Sequence, residues 1–281
     1  MKKIIWISSY PKSGNTWVRY LLCNYFYNDH KEDFKFEILK NIDKFPSIQY
    51  VKKLADNEII LNNAYNISKY WIKIQKEITK TNKNFVFLKN HNSLVSIKGN
   101  EFTSELFSLG SIYIVRDPRD VLISQLNFNK QLTLKQALKK LTSENLYCHV
   151  SKKNPLDVEV LGSWKFNYIS WRDGVKNMPR LIIKYEDLVN DTYNTMFKVI
   201  IFLSNLINSK IDHEKIKFSI KQSSFQRLQK LENTLGFEEI SSTNKFFNSG
   251  KINQWKNKLT KDQIYFIEKT FKEEMKELNY I

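Results

Sequence analysis

Lys12, Ser13, Gly14, Asn15 and Thr16 lie between two apolar runs, Ile4-Ile5-Trp6-Ile7 and the stretch that begins at Trp17 and Val18. A full positive charge, two hydroxyl donors and a glycine in so short a space suit the capture of an oxyanion. A strand would deliver the chain to a tight turn, Gly14 would let the backbone approach a ligand, and the first amides of a following helix would point free N–H groups and a positive dipole end at it. The order is not that of the Walker loop: Lys12 precedes Gly14, and no upstream glycine completes that spacing. ATP or GTP binding is therefore not the first expectation.

Two further groups could do chemistry. His91 follows the apolar run Phe85-Val86-Phe87-Leu88 and stands two residues beyond Lys89, where an imidazole can take a proton from an attacking hydroxyl. Such a base would be expected to lose activity at acid pH through a group in the ordinary histidine range. Arg116 ends the run Ile112-Tyr113-Ile114-Val115, where a guanidinium can meet a phosphate with two parallel bonds, and Ser124 follows eight residues on. Asp117 before Pro118 is a good helix N-cap. Arg119 and Asp120 are expected to face solvent.

These residues resemble the cytosolic sulfotransferase family, whose 5′-phosphosulfate loop reads Tyr-Pro-Lys-Ser-Gly-Thr-Thr-Trp; here Tyr10 to Trp17 match with Asn15 replacing one threonine. Lys89-Asn90-His91 is similar to the family's Lys-Thr-His, and Arg116 with Ser124 to its 3′-phosphate site. Tyr185-Glu186-Asp187 at a strand end and Ser223-Ser224-Phe225 are similar to segments that hold the adenine. Phe247-Asn248-Ser249-Gly250, leading to Trp255, is similar to the segment that clasps the 3′-phosphate, but Asn248 and Ser249 stand where the family has arginine and lysine. Lys251 is the neighbouring basic residue that could compensate. Gly162-Ser163-Trp164 and Trp171 resemble a block assigned to packing. The family's C-terminal dimer motif would fall on Lys256, Thr260, Lys261 and Tyr265, so its valine and glutamate are missing and the dimer is not expected to carry over.

The resemblance spans nearly the whole chain in collinear order. It implies a P-loop-NTPase-like sulfotransferase fold in one domain over residues 1–281, with 3′-phosphoadenosine 5′-phosphosulfate (PAPS) as donor, adenosine 3′,5′-bisphosphate (PAP) as product, and no metal. Lys12, Lys89 and His91 would be catalytic. Lys12 to Trp17, Arg116, Ser124, Tyr185, Ser223 to Phe225 and Phe247 to Gly250 would bind the nucleotide. The acceptor, whether a phenol, a glycan or other sugar, a lipid or an antibiotic, is not legible.

The elements that must position these residues are visible as apolar runs. Lys3–Ser8, Phe85–Lys89, Ser111–Arg116 and Leu181–Tyr185 are continuous rather than alternating, as parallel strands covered on both faces require. Helix-compatible stretches lie between and after them, at Thr16–Tyr27, Pro118–Asn129, Thr133–Val150, Ser163–Lys176 and Tyr193–Leu206. Together they predict an α/β fold with a central, mostly parallel sheet flanked by helices. Ligands of such sheets gather beyond the carboxyl ends of the strands, which is where Lys12, His91, Arg116 and Tyr185 fall. Residues 30–80 read as a helical insertion over the site, and Thr260–Leu278 as one amphipathic helix.

Composition adds bounds. With 281 residues, 42% of them hydrophobic, the chain can bury a substantial core, and no run approaches the roughly 18 apolar residues of a membrane span. The charged and apolar start ends too soon for a signal peptide, so cytoplasmic residence is expected. Cys23 and Cys148 then read as reduced thiols. The formal charge of +16 suits an anionic substrate. It also admits a basic nucleic-acid-binding protein, but the lysines are scattered rather than striped and no nucleic-acid partner is expected. A P-loop kinase shares the architecture but needs the glycine-lysine-hydroxyl order absent here.

Overall fold

The computed structural model describes residues 2–29, 36–46, 48–54, 64–143, 148–150, 158–237, 245–247 and 249–281. Its centre is a five-stranded parallel sheet of β1 (Ile4–Ser9), β2 (Asp43–Lys44), β3 (Val86–Asn90), β4 (Ser108–Val115) and β5 (Arg180–Lys184), in the order β2-β3-β1-β4-β5. Ser8 pairs with Asn90 on one side and Tyr113 on the other, and Val115 pairs with Lys184. The carboxyl ends of the strands therefore line up along one edge.

Both faces of the sheet are covered, which is why its central strand carries no polar alternation. Ile4 and Trp6 pack into one core, where the Trp6 ring meets Phe45 at 5.1 Å and Phe102 at 5.3 Å; Ile5 and Ile7 pack into the other. The second core is roofed by the Asn15–Tyr27 helix, which the His213–Gln222 helix supports through a 2.7 Å bond from Ser219 Oγ to the Leu21 carbonyl. Burial at about 25 cal/mol per Å² makes these two layers the main reason that the sheet edge stays in place.

The strands and most helices agree with the sequence expectation to within a few residues, and three elements differ. The helix expected over Thr133–Val150 runs only from Leu134 to Thr142, and Cys148–Val150 instead pairs antiparallel with Val158–Val160. The expected C-terminal helix is two, Lys261–Thr270 and Lys272–Glu277; Phe271 leaves helical geometry so that its ring can bury against Trp164, 5.1 Å away. Tyr185 begins a short helix to Asn190 rather than ending the strand. Of residues 30–80, the described part holds helical turns at Phe36–Asn41, Ile48–Leu54, Ala64–Ser68 and Trp71–Ile78, and also the edge strand β2. Among the described residues no helix is long and apolar enough to cross a membrane.

Candidate active site at the carboxyl edge of the sheet

β1 ends at Ser9, and the loop that follows turns through left-handed backbone at Lys12, φ 71°, and at Gly14, φ 97°. Gly14 caps the Asn15–Tyr27 helix without a side chain, and its carbonyl accepts from Trp17 and Val18. A Cβ at Gly14 would lie 2.5 Å from Cδ2 of Tyr185, so glycine lets that ring close over the loop. Ser13 is buried and its hydroxyl has no protein partner. Asn15 turns inward, donating to the Ile7 carbonyl at 3.0 Å and to Ser9 Oγ at 3.3 Å, and thereby fastens the loop to the strand it leaves. Thr16 is buried beside it. The ammonium of Lys12 sits over the rings of Phe128 at 3.8 Å and Phe246 at 4.6 Å, a cation–π arrangement.

His91 stands on the neighbouring strand end, partly exposed. Its Nδ1 lies 2.8 Å from the Ser9 carbonyl and 3.2 Å from Ser9 Oγ. A carbonyl can only accept, so Nδ1 carries the proton and Nε2 keeps the lone pair. Burial and the adjacent Lys89 push the imidazole down to about 3, against a weaker opposing pull from Glu159, so the ring is neutral at pH 7. The His91 carbonyl accepts from Asn167 Nδ2 at 2.9 Å, and the neighbouring Asn92 carbonyl accepts from Trp171 Nε1 at 2.8 Å. The tryptophan block read as packing thus also pins the segment bearing His91.

Arg116 is buried at the end of β4. Its guanidinium donates to the Lys12 carbonyl at 3.2 Å and to the Lys251 carbonyl at 3.1 Å and lies 4.3 Å from the centre of the Tyr185 ring, while Nε is buried without a protein partner. Trp164 Nε1 donates to the Arg116 carbonyl at 3.0 Å. Ser124 is partly buried on the Pro118–Phe128 helix that leaves this strand end. Lys251 itself meets Arg116 through its carbonyl, and its side chain is exposed.

The expected adenine and 3′-phosphate segments meet one another. Trp17 Nε1 donates to the Ser223 carbonyl at 2.9 Å, Asn24 donates to Ser223 Oγ at 3.2 Å, and Ser224 precedes the Phe225–Leu235 helix. Gly250, φ 61°, lies so close to the Phe225 ring that a Cβ would stand 2.8 Å from it. Phe247 is buried among Tyr20, Phe36 and Phe237, its backbone held by Glu232 and Gln229. Ser249 is partly exposed, and Asn248 lies outside the described residues.

Several residues at this edge have packing roles that the sequence reading did not give them. Arg119 and Asp120, expected in solvent, are buried: Arg119 pairs with Asp117 at 2.6 Å and also with Glu268, and stacks on Trp255 at 3.7 Å, while Asp120 accepts from the amides of Asn253 at 2.7 Å and Trp255 at 3.1 Å. They anchor the C-terminal segment to the helix after Arg116. Glu186 accepts from the Asp117 amide at 3.0 Å and from Tyr280 at 2.8 Å. Lys44, beside Lys89 in the sheet register, forms an ion pair of 3.1 Å with Glu159. The only sequence signal for Glu159 was a lone carboxylate in the apolar stretch Val158-Glu159-Val160-Leu161. Among the described residues no group of three or more His, Cys, Asp or Glu is arranged to hold a metal.

A family model described as Sulfotransferase domain matches residues 2–279. The amine sulfotransferase of Oryctolagus cuniculus is 23% identical over 281 residues, covering 97% of this chain and 81% of that protein. Sulfotransferase 2A2 of Rattus norvegicus is 31% identical over 182 residues, 62% of this chain and 60% of that protein. Among solved structures, mouse sulfotransferase SULT7A1 complexed with PAP is similar in fold, with a TM-score of 0.59 and 19% identity over 98% of this chain and 85% of that one.

Proposed function

The chain belongs to the sulfotransferase-domain family, and on that premise we propose that it moves a sulfuryl group from PAPS to a hydroxyl or amine of a small-molecule acceptor, leaving PAP. The observation that carries this reading is the 2.8 Å bond from His91 Nδ1 to the Ser9 carbonyl, which joins a neutral base to the strand end feeding the anion loop. The PAP bound to the similar mouse structure supports the choice of nucleotide.

The residues present suit that donor. The Ser13 hydroxyl and Arg116 Nε are buried polar groups without protein partners, as donors awaiting an anion would be, and Gly14 lets the Tyr185 ring lie against the loop. When bound, the donor supplies a sulfuryl group on a phosphate leaving group. The amides and hydroxyls from Ser13 to Thr16 hold the 5′-phosphate at the helix N-terminus. Arg116, with Ser124 and the Ser249-Gly250 backbone, holds the 3′-phosphate, and Trp17, Tyr185 and the Ser223-Ser224-Phe225 segment flank the base. His91 Nε2 takes the acceptor proton, Lys12 leaves its aromatic rings to stabilise charge on the departing phosphate oxygen, and Lys89 holds the sulfuryl oxygens.

Calorimetric titration with PAP tests the donor assignment: saturable one-site binding is expected, and the absence of heat at millimolar nucleotide would defeat it. Acceptor screening with labelled PAPS then tests transfer itself.

A further inference from the structure

Glu159 is a buried carboxylate for which the transfer described above has no use. It comes from the short strand Val158–Val160, and that strand is fixed against the base: the Val160 amide donates to Asn92 Oδ1 at 2.8 Å and the Val160 carbonyl accepts from the Ser93 amide at 2.7 Å. Asn92 and Ser93 directly follow His91. On the other side stands Lys44 of β2, in Cα register with Lys89 and tied to it by the adjacent bond from the Phe45 amide to the Lys89 carbonyl at 2.8 Å. The Glu159 side chain is 6% exposed and Lys44 34%, so this 3.1 Å ion pair is screened by water mainly from the lysine's side.

The groups around the imidazole can be named element by element. β1 contributes the Ser9 carbonyl and hydroxyl, β3 contributes Lys89, β2 contributes Lys44, the Val158–Val160 strand contributes Glu159, and the Trp164–Asp173 helix contributes Asn167, which bonds the His91 carbonyl. Among the described residues, the charges acting on the ring are the cations Lys89 and Lys44 and the anion Glu159. Two ammonium groups beside an imidazole oppose its protonation, and a base that cannot gain a proton cannot assist attack.

We infer that Glu159 is a positioning residue of the reaction centre, the buried counter-charge that lets His91 accept a proton while Lys44 and Lys89 stand beside it. The inference rests on His91 as the base. Burial alone would push the Glu159 carboxyl up, but Lys44, Lys89 and His91 together hold it far below the usual carboxylate range, so it remains an anion under all working conditions. Lys44 fixes where that anion sits. The pair thus sets the strength of the base without touching the reacting atoms.

The main arm of the test needs no acceptor. Diethyl pyrocarbonate acylates neutral imidazole at the nitrogen that holds the lone pair, and its rate at His91, followed by mass spectrometry of the His91 peptide, reports the basicity of Nε2. At pH 7, Glu159→Gln should slow this rate by about threefold to tenfold, Lys44→Gln should raise it by a similar factor, and the double variant should return near wild type, as proton affinity follows the local charge. Singles that change in the same direction, or rates within twofold of wild type in all variants of native circular dichroism, would overturn the proposal. Should Glu159→Gln not fold, the sign of the Lys44→Gln effect alone decides. His91→Ala turnover separates the two readings: normal turnover removes the base, whereas lost turnover with unshifted acylation rates removes only the role of Glu159.

Discussion

Under the proposed function, His91 carries the difference between a nucleotide-binding protein and a transferase. Because His91 serves there as a general base rather than a nucleotide ligand, His91→Ala should leave PAP affinity intact and lower turnover by roughly 10²–10⁴, the range for losing a general base. The expected fall in activity through the ordinary histidine range is revised by the structure. With the imidazole pushed down to about 3 by burial and Lys89, no loss of rate near pH 6.5 should be traceable to this residue. Its sign in stability is also defined. The unfolded chain takes up the proton near the ordinary histidine value of 6.5 and the native ring does not, so stability is lost as pH falls from about 6.5 towards 3. The slope is at most about 1.4 kcal/mol per pH unit, and His91→Gln should flatten it in urea melts between pH 7 and 4. Arg116→Ala should weaken PAP by about 1.5–3 kcal/mol, the range for a hydrogen bond to a charged group, while adenosine 5′-phosphate loses much less. Equal losses for both nucleotides in parallel calorimetry would remove Arg116 from the 3′-phosphate.

The same sites depend on how elements meet. Asp120 binds the amides of Asn253 and Trp255, and with the stacking of Arg119 on Trp255 it anchors the C-terminal segment that reaches Arg116 through Lys251. Asp120→Ala leaves those amides unpaired at a cost of about 1–3 kcal/mol. Limited proteolysis should then cut the chain at residues 249–258 first, with PAP protection reduced; an unchanged cleavage pattern would refute the anchor. How much of this was readable differs by element. The central strands were legible because burial on both faces makes them unbroken apolar runs, and the loop, Lys89, His91 and Arg116 were legible because each belongs to a short contiguous pattern. β2 was not, since Asp43 and Lys44 are a two-residue edge strand of charged side chains. Glu159 and Asp120 were not, because a carboxylate's burial depends on partners far away in sequence, Lys44 in one case and the Asn253–Trp255 backbone in the other. Phe271 broke the last helix for a tertiary reason, its seat against Trp164, which periodicity along one segment does not contain.

For the whole molecule the open matter is whether a formal charge of +16 serves the site. Charges act on a bound anion only within about a Debye length, roughly 8 Å at physiological ionic strength. Some of the lysines are engaged locally: Lys80, beyond the helix that leads into the amino end of β3, pairs with Glu77 at 2.6 Å, and Lys217 on the His213–Gln222 helix pairs with Glu214 at 2.7 Å. The local cations, Lys12, Lys89 and Arg116, are held by the sheet edge itself. Net charge should therefore matter little to affinity once the nucleotide is seated. Changing Lys80, Lys210 and Lys217 together to glutamate lowers the formal charge from +16 to +10. At 0.15 M salt this triple variant should bind PAP within about twofold of wild type if exposed charges on these segments are screened from the bound nucleotide. A loss of tenfold or more, recovered as salt is raised in wild type and variant alike, would show a long-range electrostatic funnel and assign the scattered lysines a part in collecting the donor.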